Sequence, residues 1–236
     1  MDTAFAARGE GHLEFTRIVI VTGHYGSGKT NLALNLALRF AASGERTALA
    51  DLDVVNPYFR SSDFAARWEK SNLTLIAPEF AGTTLDLPAL SPRVSAALNG
   101  SFDRVVIDAG GDDAGATALG TLHGRIGDCE MLYVVNAYRP LTKEPEEAVR
   151  ILREIEAVSR LRGTALVNNS HLGALTSAQI VADTRGYADE CARLADLPVK
   201  FTTVPRGMPR DTLGDQTPLF PVDIIVAPPW DAAQKG

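Results

Sequence analysis

The amino-acid sequence predicts an α/β fold, a three-layer sandwich in which helices cover both faces of a mostly parallel central sheet. Short apolar runs of strand length alternate with segments of helical periodicity along all 236 residues, as in sheets whose strands are joined by helices. The composition, 45% hydrophobic and 22% charged, is typical of a globular protein with one core. No repeat or Gly/Ser-rich linker divides the sequence. We therefore expect one domain over residues 17–236, after a flexible N-terminal extension over residues 1–16.

The individual elements are predicted from the hydrophobic pattern of each segment. Strands are expected in the short apolar runs at 17–22, 46–52, 73–77, 104–108, 131–136, 164–168, 199–204 and 223–226. Helices are expected where apolar residues recur every three or four positions, at 30–43, 61–70, 92–98, 114–125, 143–161 and 177–195. Ligands of such sheets bind at the carboxyl ends of the strands, so the residues that follow each strand are the candidates for chemistry.

The charge and the cysteines argue against several classes of function. The formal net charge of −6 opposes binding to DNA or to an anionic membrane, because both depend on an excess of Lys and Arg. No apolar run is long enough to span a bilayer, and residues 1–16 lack the apolar segment of a signal peptide. Cys129 and Cys191 form no Cys-x-x-Cys pair, so a zinc or iron–sulfur site is not expected. We expect a cytoplasmic protein that has no membrane partner and does not bind nucleic acid.

The clearest motif is a glycine-rich loop between the first predicted strand and the first predicted helix. It reads Gly-x-x-x-x-Gly-Lys-Thr and consists of Gly23, His24, Tyr25, Gly26, Ser27, Gly28, Lys29 and Thr30. Its glycines let backbone N–H groups surround phosphate oxygens, and the helix N-terminus adds its positive end. Lys29 would bind the β- and γ-phosphates, and the Thr30 hydroxyl would be a ligand of Mg²⁺. These residues and Asn31 are predicted to bind a nucleotide; the alternative is a turn that matches the motif by accident.

A carboxylate ends the predicted strand 104–108. Asp108 is followed closely by Gly110, Gly111 and Asp112. An aspartate at this place suits the water shell of Mg²⁺, and a glycine after it lets a backbone N–H approach the γ-phosphate. We therefore predict that Gly110 and Gly111 contact the nucleotide. The alternative for Asp108 is a turn cap, and Asp112 is as well suited to capping the next helix.

Two more carboxylates lie at the end of the predicted strand 46–52. Asp51 and Asp53 are two residues apart, so on an extended chain their side chains point the same way. They would hold metal-bound water and orient an attacking water near the γ-phosphate. Asp53 and Lys29 are the predicted catalytic residues, although an Asp–Asn turn is the alternative here. The predicted metal site consists of Thr30, Asp51, Asp53 and Asp108.

Together these segments resemble the MinD/ParA-like branch of P-loop NTPases, which is also described as the CobQ/CobB/MinD/ParA nucleotide-binding group. That branch has a phosphate loop, Asp-x-Asp after the second strand and Asp-x-Gly-Gly after the third. The resemblance implies that Asn168 and Asn169 face the base and favour adenine, unless they only form a turn. It also implies that Pro205 and Arg206 lie where the branch closes over the base.

One residue departs from the pattern of that branch. Its loop usually reads Gly-Lys-Gly-Gly-x-Gly-Lys-Thr, and the first lysine reaches across a homodimer to the partner's nucleotide. His24 occupies that position here; histidine is shorter and mostly neutral at pH 7. The resemblance thus implies a homodimer across the nucleotide, but its usual contact is replaced or is made by another residue such as Arg60.

The predicted function is binding of ATP, or else GTP, with Mg²⁺, and slow hydrolysis that switches the binding of a protein partner. Turnover should be slow because no evident charge finger is present in cis. One alternative is an ATP-dependent small-molecule ligase or kinase related to CobB/CobQ-type enzymes, with residues 80–92 lining the acceptor pocket. Another is a positioning protein on DNA or membrane. The acidic charge argues against it, and so does the proline-containing segment 227–236, which cannot form an amphipathic helix.

Overall fold

The computed structural model of the chain describes residues 13–53, 72–76, 92–208 and 218–226. Within these ranges eight strands form one sheet, with the order β3-β2-β4-β1-β5-β6-β7-β8 and every neighbouring pair parallel. The strands are β1 Ile18–Thr22, β2 Thr47–Asp51, β3 Leu73–Ile76, β4 Arg104–Asp108, β5 Cys129–Val135, β6 Ala165–Asn168, β7 Val199–Pro205 and β8 Leu219–Val222. The predicted α/β fold is therefore confirmed, and the sheet is parallel throughout its described part.

Six α-helices belong to the described residues. They are α1 Lys29–Ala42, α2 Pro92–Ala96, α3 Asp113–Leu122, α4 Pro145–Ser159, α5 Ala178–Asp183 and α6 Arg185–Ala195. Most differ from the predicted helices by a few residues at their ends, as expected from hydrophobic periodicity alone. The predicted helix 61–70 lies outside the described residues. No helix in the described ranges combines the length and the apolar character needed to cross a bilayer.

The core lies on both faces of the sheet. Successive residues of a strand face opposite sides, so Ile18 and Ile20 of β1 pack in one buried cluster, whereas Val19 and Val21 pack in another. The first cluster includes apolar residues of α3, α4 and α6, and the second includes the apolar face of α1. A parallel sheet covered on both faces has strands that are apolar at nearly every position. This arrangement explains why β1 reads as an uninterrupted apolar run.

The prediction of the eighth strand is wrong in position. The sequence favoured 223–226, but the strand is Leu219–Val222, and residues 223–226 follow it without strand pairing. Pro221 made the true strand a poor candidate, because proline cannot donate a ladder hydrogen bond. The strand pairs with β7, with Pro221 opposite Val204, and it is the outermost strand in the described part of the sheet. Edge strands tolerate proline because one side of the strand needs no partner.

The predicted helix 177–195 is divided into α5 and α6 at Thr184. The Thr184 hydroxyl donates to the Val181 carbonyl oxygen at 2.9 Å and accepts a hydrogen bond from Asn168 Nδ2 at 3.2 Å. Local hydrogen bonds of this kind compete with the helical pattern. Ser177 caps α5 with its side chain, so the start of the helical segment agrees with the prediction.

Residues 13–16, which the sequence assigned to the flexible extension, lie against the domain. The Phe15 ring packs edge-on against Phe40, with 5.4 Å between ring centroids, and contacts Phe201 at 6.3 Å. The Arg104 guanidinium donates to the carbonyl oxygen of Thr16 at 2.9 Å. Residues 15 and 16 thus contact the described part of the domain, while the bounds of the domain stay a prediction. Residues 1–12 lie outside the described residues, so the flexible extension stays a prediction for them.

Candidate functional site

The glycine-rich loop connects β1 to α1 and has the shape of a phosphate cradle. Gly26 and Gly28 adopt positive φ angles of 75° and 89°, a region that residues with a Cβ rarely occupy. A Cβ atom added at Gly23 would lie 2.4 Å from the Val134 carbonyl oxygen, and one at Gly28 would lie 2.3 Å from Asn169 Nδ2. No side chain caps the N-terminus of α1, and its first turn has no acidic residue. The N–H groups of that first turn therefore remain available to an anion.

Two polar side chains are buried within the loop. Lys29 is 5% exposed, and its Nζ donates to the His24 carbonyl oxygen at 3.4 Å. Ser27 is also buried, and its hydroxyl oxygen has no hydrogen-bond partner among the described residues. Partial burial and the nearby Lys29 charge lower the pKa of His24. The loop thus presents a buried lysine next to a neutral histidine.

The three predicted carboxylates meet at the carboxyl edge of the sheet. Asp51 and Asp108 end neighbouring strands at the same level, and each is nearly fully buried. The backbone N–H of Asp53 donates to Asp51 Oδ1 at 2.9 Å. The Asp53 carboxyl carbon lies 3.6 Å from the position that a Cβ at Gly110 would occupy. Asp51 thus fixes the chain at Asp53, whose side chain faces the loop that follows β4.

Asp108 carries the largest electrostatic perturbation in this region. Burial raises its pKa to about 6, partly offset by Lys29 and the Thr30 hydroxyl, whereas Asp53 raises it further. Neither Asp108 oxygen has a hydrogen bond of normal geometry among the described residues. A buried carboxylate without partners is destabilised, so this position favours a cation or an ordered water.

The described residues do not form a metal cage made of protein side chains alone. Within residues 13–53, 72–76, 92–208 and 218–226, no group of three or more His, Cys, Asp or Glu side chains is arranged to hold a metal ion. The predicted metal residues Thr30, Asp51, Asp53 and Asp108 lie at one edge of the sheet, but their role stays a prediction. Such an arrangement leaves most coordination positions of a cation to water and phosphate oxygens.

The loop that follows β4 is in direct contact with the phosphate loop. A Cβ atom at Gly111 would lie 2.0 Å from the Gly23 carbonyl oxygen, so only glycine fits there. Asp112 accepts a hydrogen bond from the Gly115 N–H at 2.8 Å and caps α3. Capping is the alternative that the sequence offered for Asp112, and the structure confirms it. Gly111 lies against the phosphate loop and Gly110 lies beside Asp53; the nucleotide contact of both glycines stays a prediction.

Asn168 and Asn169 are buried at the end of β6. Asn168 donates to Thr184 Oγ1 at 3.2 Å, whereas Asn169 donates to the Ser27 carbonyl oxygen at 2.6 Å and accepts from Thr203 Oγ1 at 2.5 Å. Asn169 therefore supports the backbone of the phosphate loop. The predicted contact of both asparagines with a base stays a prediction.

The remaining predicted nucleotide-binding residues lie at the end of β7 or in the first turn of α1. Pro205 and Asn31 line a small pocket, and Arg206 Nε lies 2.8 Å from the Asp223 carboxylate. The Asn31 side chain donates to the Asp223 carbonyl oxygen at 2.9 Å and accepts from the Ile225 N–H at 2.8 Å. Asn31 thus ties α1 to the segment after β8 through its side chain, while its backbone belongs to the first turn of the helix.

A larger cleft of about 390 Å³ opens on the other side of the phosphate loop. It is lined by His24, Tyr25, Lys29 and Asp53 and by residues of α4. Tyr25 is 66% exposed, so it stands at the edge of this opening. The cleft therefore continues outward from the residues that are predicted to surround a γ-phosphate.

Two residues near the loop were missed by the sequence reasoning. Arg139 follows β5, and its Nε lies 3.5 Å from the position of a Cβ at Gly26. His171 follows β6, and its Nε2 lies 3.1 Å from the position of a Cβ at Gly28. Both belong to connections at the carboxyl ends of strands. That location was the available signal, since it had already selected the aspartates.

Comparison with known proteins shows the fold of this chain. No protein-family model matches the sequence, and no curated protein matches it significantly. The cell division protein FtsY from Thermotoga maritima has a TM-score of 0.56 and 21% identity, covering 91% of this chain and 70% of that chain. The MinC:MinD cell division protein complex of Aquifex aeolicus has a TM-score of 0.51 and 15% identity, covering 86% and 87%.

A third solved structure shares only part of its length with this chain. The 54 kDa protein of the signal recognition particle from Aeropyrum pernix, in complex with GDP, has a TM-score of 0.54 and 16% identity, covering 82% of this chain and 42% of that chain. The three neighbours are P-loop NTPases. This chain has their fold. At these identities the similarity extends to the fold and not to a particular activity.

Proposed function

We propose that the protein binds ATP with Mg²⁺ and hydrolyses it slowly, and that the nucleotide state controls the binding of a partner. The observation that carries this proposal is the cradle between β1 and α1, where glycine is the only residue that fits at Gly23 and Gly28. Lys29 is buried beside it, although an isolated buried ammonium group is unfavourable. An anion held by the loop would compensate that charge, as phosphates do in this motif.

The residues around the loop also fit a Mg²⁺ ion. Thr30 offers a hydroxyl oxygen, and Asp108 offers two buried oxygens without partners among the described residues. We assign Thr30 to direct coordination and Asp108 to the water shell, since Mg²⁺ retains several waters beside phosphate oxygens. When bound, the ion would neutralise charge that develops on the phosphates. Asp51 would act by fixing the chain at Asp53 rather than by direct coordination.

Asp53 is the best placed of these groups to orient an attacking water. It lines the 390 Å³ cleft together with Lys29, and its carboxylate faces the connection at Gly110. A carboxylate at this place accepts a hydrogen bond from water and holds it near the terminal phosphate. Gly111 brings its backbone to the same opening. Hydrolysis by positioning alone is slow, which suits a switch whose turnover depends on a partner.

Substitution of the loop lysine tests this function. Lys29→Ala should lower the affinity for Mg²⁺–ATP at least about tenfold and abolish hydrolysis, because it removes a charge-assisted contact to the phosphates. Affinity is measured by calorimetry and hydrolysis by phosphate release. Lys143→Ala, a substitution of the same kind at an exposed position, serves as the control and should change neither. Unchanged binding and hydrolysis in Lys29→Ala would refute the assignment.

The cleft supports a second candidate function, transfer of the γ-phosphoryl group to a small molecule. The space beyond Lys29 and Asp53 is large enough for an acceptor with a carboxylate or hydroxyl group. The predicted acceptor segment 80–92 lies mostly outside the described residues. Strong stimulation of ATP consumption by one metabolite, with a phosphorylated product in mass spectrometry, would favour transfer over a switch. Release of inorganic phosphate alone would favour the switch.

A further inference from the structure

Arg139 lies beside the phosphate loop, and no described residue neutralises its charge. Its half-buried side chain makes no hydrogen bond or ion pair with the other described residues, and its Nε is buried and unsatisfied. Most of the described arginines that have a partner bind a carboxylate or a backbone carbonyl oxygen. Arg104, for example, pairs with Glu45 at 2.6 Å. An unsatisfied buried guanidinium N–H is unfavourable, so it requires a specific acceptor.

The guanidinium is placed against the apex of the phosphate loop. Its Nε, Cδ and Cζ lie 3.5, 3.6 and 3.8 Å from the position that a Cβ at Gly26 would occupy. The strand that precedes Arg139, β5, pairs directly with β1, which precedes the loop. The two connections therefore leave the sheet side by side at its carboxyl edge. Any side chain at position 26 would contact the arginine.

The backbone that carries Arg139 is held firmly by the turn after β5. The Arg139 N–H donates to the Asn136 carbonyl oxygen at 3.2 Å, and the Thr142 N–H donates to the Arg139 carbonyl oxygen at 3.1 Å. The Ala137 N–H donates to Ser170 Oγ at 3.0 Å, which links this turn to the connection after β6. A side chain on a fixed backbone loses less entropy on binding than one on a mobile loop.

The neighbouring imidazole carries no positive charge beside that of the arginine. His171 Nδ1 accepts a hydrogen bond from the Gly173 N–H at 3.1 Å, so the ring is neutral with its proton on Nε2. Burial lowers the pKa of His171, and the Arg139 charge lowers it further. Arg139 thus carries the positive charge on this side of the loop, and Lys29 carries the one within it.

From this arrangement we propose that Arg139 binds the phosphates of the nucleotide in cis, as a second cation beside Lys29. The proposal rests on the proposed nucleotide binding and adds a residue to it. A planar guanidinium with several N–H donors suits phosphate oxygens, and its donor Nε lies within reach of the loop that would hold them. The bound phosphates would supply the acceptor that Arg139 lacks among the described residues. The sequence alone did not reveal a cation in cis because Arg139 is far from the loop along the chain.

The test compares Arg139→Met, which keeps the aliphatic stem and removes the charge, with Arg139→Lys, which keeps the charge. The Met variant should bind Mg²⁺–ATP and Mg²⁺–ADP about 10- to 100-fold more weakly than the unmodified chain, the range of a charge-assisted hydrogen bond. The Lys variant should lose less, because a point charge persists without the planar fork. The affinity of the Met variant should also depend less steeply on salt, which a merely structural role of Arg139 would not produce.

Arg46→Met is the matched control. Arg46 pairs with Asp103 at 2.9 Å and precedes β2, so it lies at the opposite edge of the sheet from the loop. The Arg46→Met substitution removes the same charge as Arg139→Met and should leave the nucleotide affinity unchanged. Circular dichroism of the nucleotide-free variants verifies that they fold. If Arg139→Met does not fold, Arg139→Lys decides the test, with an expected several-fold loss of nucleotide affinity.

Nucleotide affinity of the Arg139 variants within about twofold of the unmodified chain would overturn the inference. If Lys29→Ala abolishes binding as proposed while Arg139→Met binds normally, only the role of Arg139 falls. If the unmodified chain binds no nucleotide, the proposed function and this inference fall together.

Discussion

Asp108→Asn should stabilise the nucleotide-free protein near neutral pH. The carboxyl group is buried, and its pKa is about 6 instead of 3.8. Each tenfold change in an ionisation constant corresponds to about 1.36 kcal/mol, so ionised Asp108 destabilises the folded state by about 3 kcal/mol above pH 6. The amide has nearly the same size and carries no charge. Substitution therefore removes the penalty while it also removes a residue that we assign to the Mg²⁺ water shell.

The pH dependence of this gain follows from the direction of the shift. Between the unfolded pKa of 3.8 and the folded pKa of about 6, the folded chain holds the Asp108 proton more tightly than the unfolded chain does. The contribution of protonated Asp108 to the free energy of unfolding is thus fully present below pH 3.8. It is lost as the pH rises through about 6, where the folded chain releases the proton. The difference between Asp108→Asn and the unmodified chain should be about a third of its full value at pH 4.5 and should reach its full value by pH 7.5.

Urea unfolding of the nucleotide-free protein in EDTA at pH 4.5, 6 and 7.5 measures the effect. A change of about 3 kcal/mol corresponds to a rise of about 6–12 °C in melting temperature for a chain of this size. Asp103→Asn is the matched control: Asp103 is exposed, and its hydrogen bonds with Arg46 lower its pKa, so this variant should gain no stability. An Asp108→Asn variant that is less stable at pH 7.5, or a gain independent of pH, would refute the reasoning.

Three further substitutions test how the loop and the domain boundary are supported. Gly28→Ala should lower stability by more than about 2 kcal/mol and prevent ATP binding, because φ is 89° and the new Cβ would lie 2.3 Å from Asn169 Nδ2; a variant with normal melting temperature and affinity contradicts this. Asn169→Ala should lower stability by about 1–3 kcal/mol, since it leaves Ser27 O and the Thr203 hydroxyl without their partner; urea unfolding decides, and no loss would show that water replaces both bonds. Phe15→Ala should lower stability by about 1–3 kcal/mol through its contacts with Phe40 and Phe201; a melting temperature equal to that of the unmodified chain would place the boundary at residue 17.

The sequence predicted the elements whose signal is local and strong. β1 is buried at every position, apolar from Ile18 to Val21, and is followed by a phosphate-loop pattern; both features arise from residues adjacent in the chain. The apolar face of α4, with Ile151 and Ile155, repeats at helical spacing, so its existence was clear and only its ends shifted. β8 was misplaced because its pattern contains Pro221, whose acceptability depends on the edge position of the strand. A position within the sheet is a tertiary property that no local window contains.

The site shows the same division between local and tertiary signals. Asp51, Asp53 and Asp108 were found because carboxylates at the ends of predicted strands can be read from the sequence alone. Arg139 and His171 were missed, although they follow strands as well, because a single Arg or His in a connection has no motif around it. Their importance depends on β5 and β6 lying on the other side of β1 from β4, an order the sequence does not specify. The base-contact roles of Asn168 and Asn169 rest on the resemblance alone.

Asp108 and Arg139 give the nucleotide-free site two unsatisfied charges of opposite sign. Neither Asp108 oxygen has a hydrogen bond of normal geometry, and Arg139 has none for Nε, among the described residues. They do not neutralise each other, because Asp108 ends β4 and Arg139 follows β5, and these strands lie on opposite sides of β1. A ligand that carries phosphates toward Arg139 and a hydrated cation toward Asp108 would satisfy both at once. The two unsatisfied charges destabilise the nucleotide-free fold, and a ligand that binds only the folded chain would restore that stability. The stability of the loop region is therefore coupled to the nucleotide state.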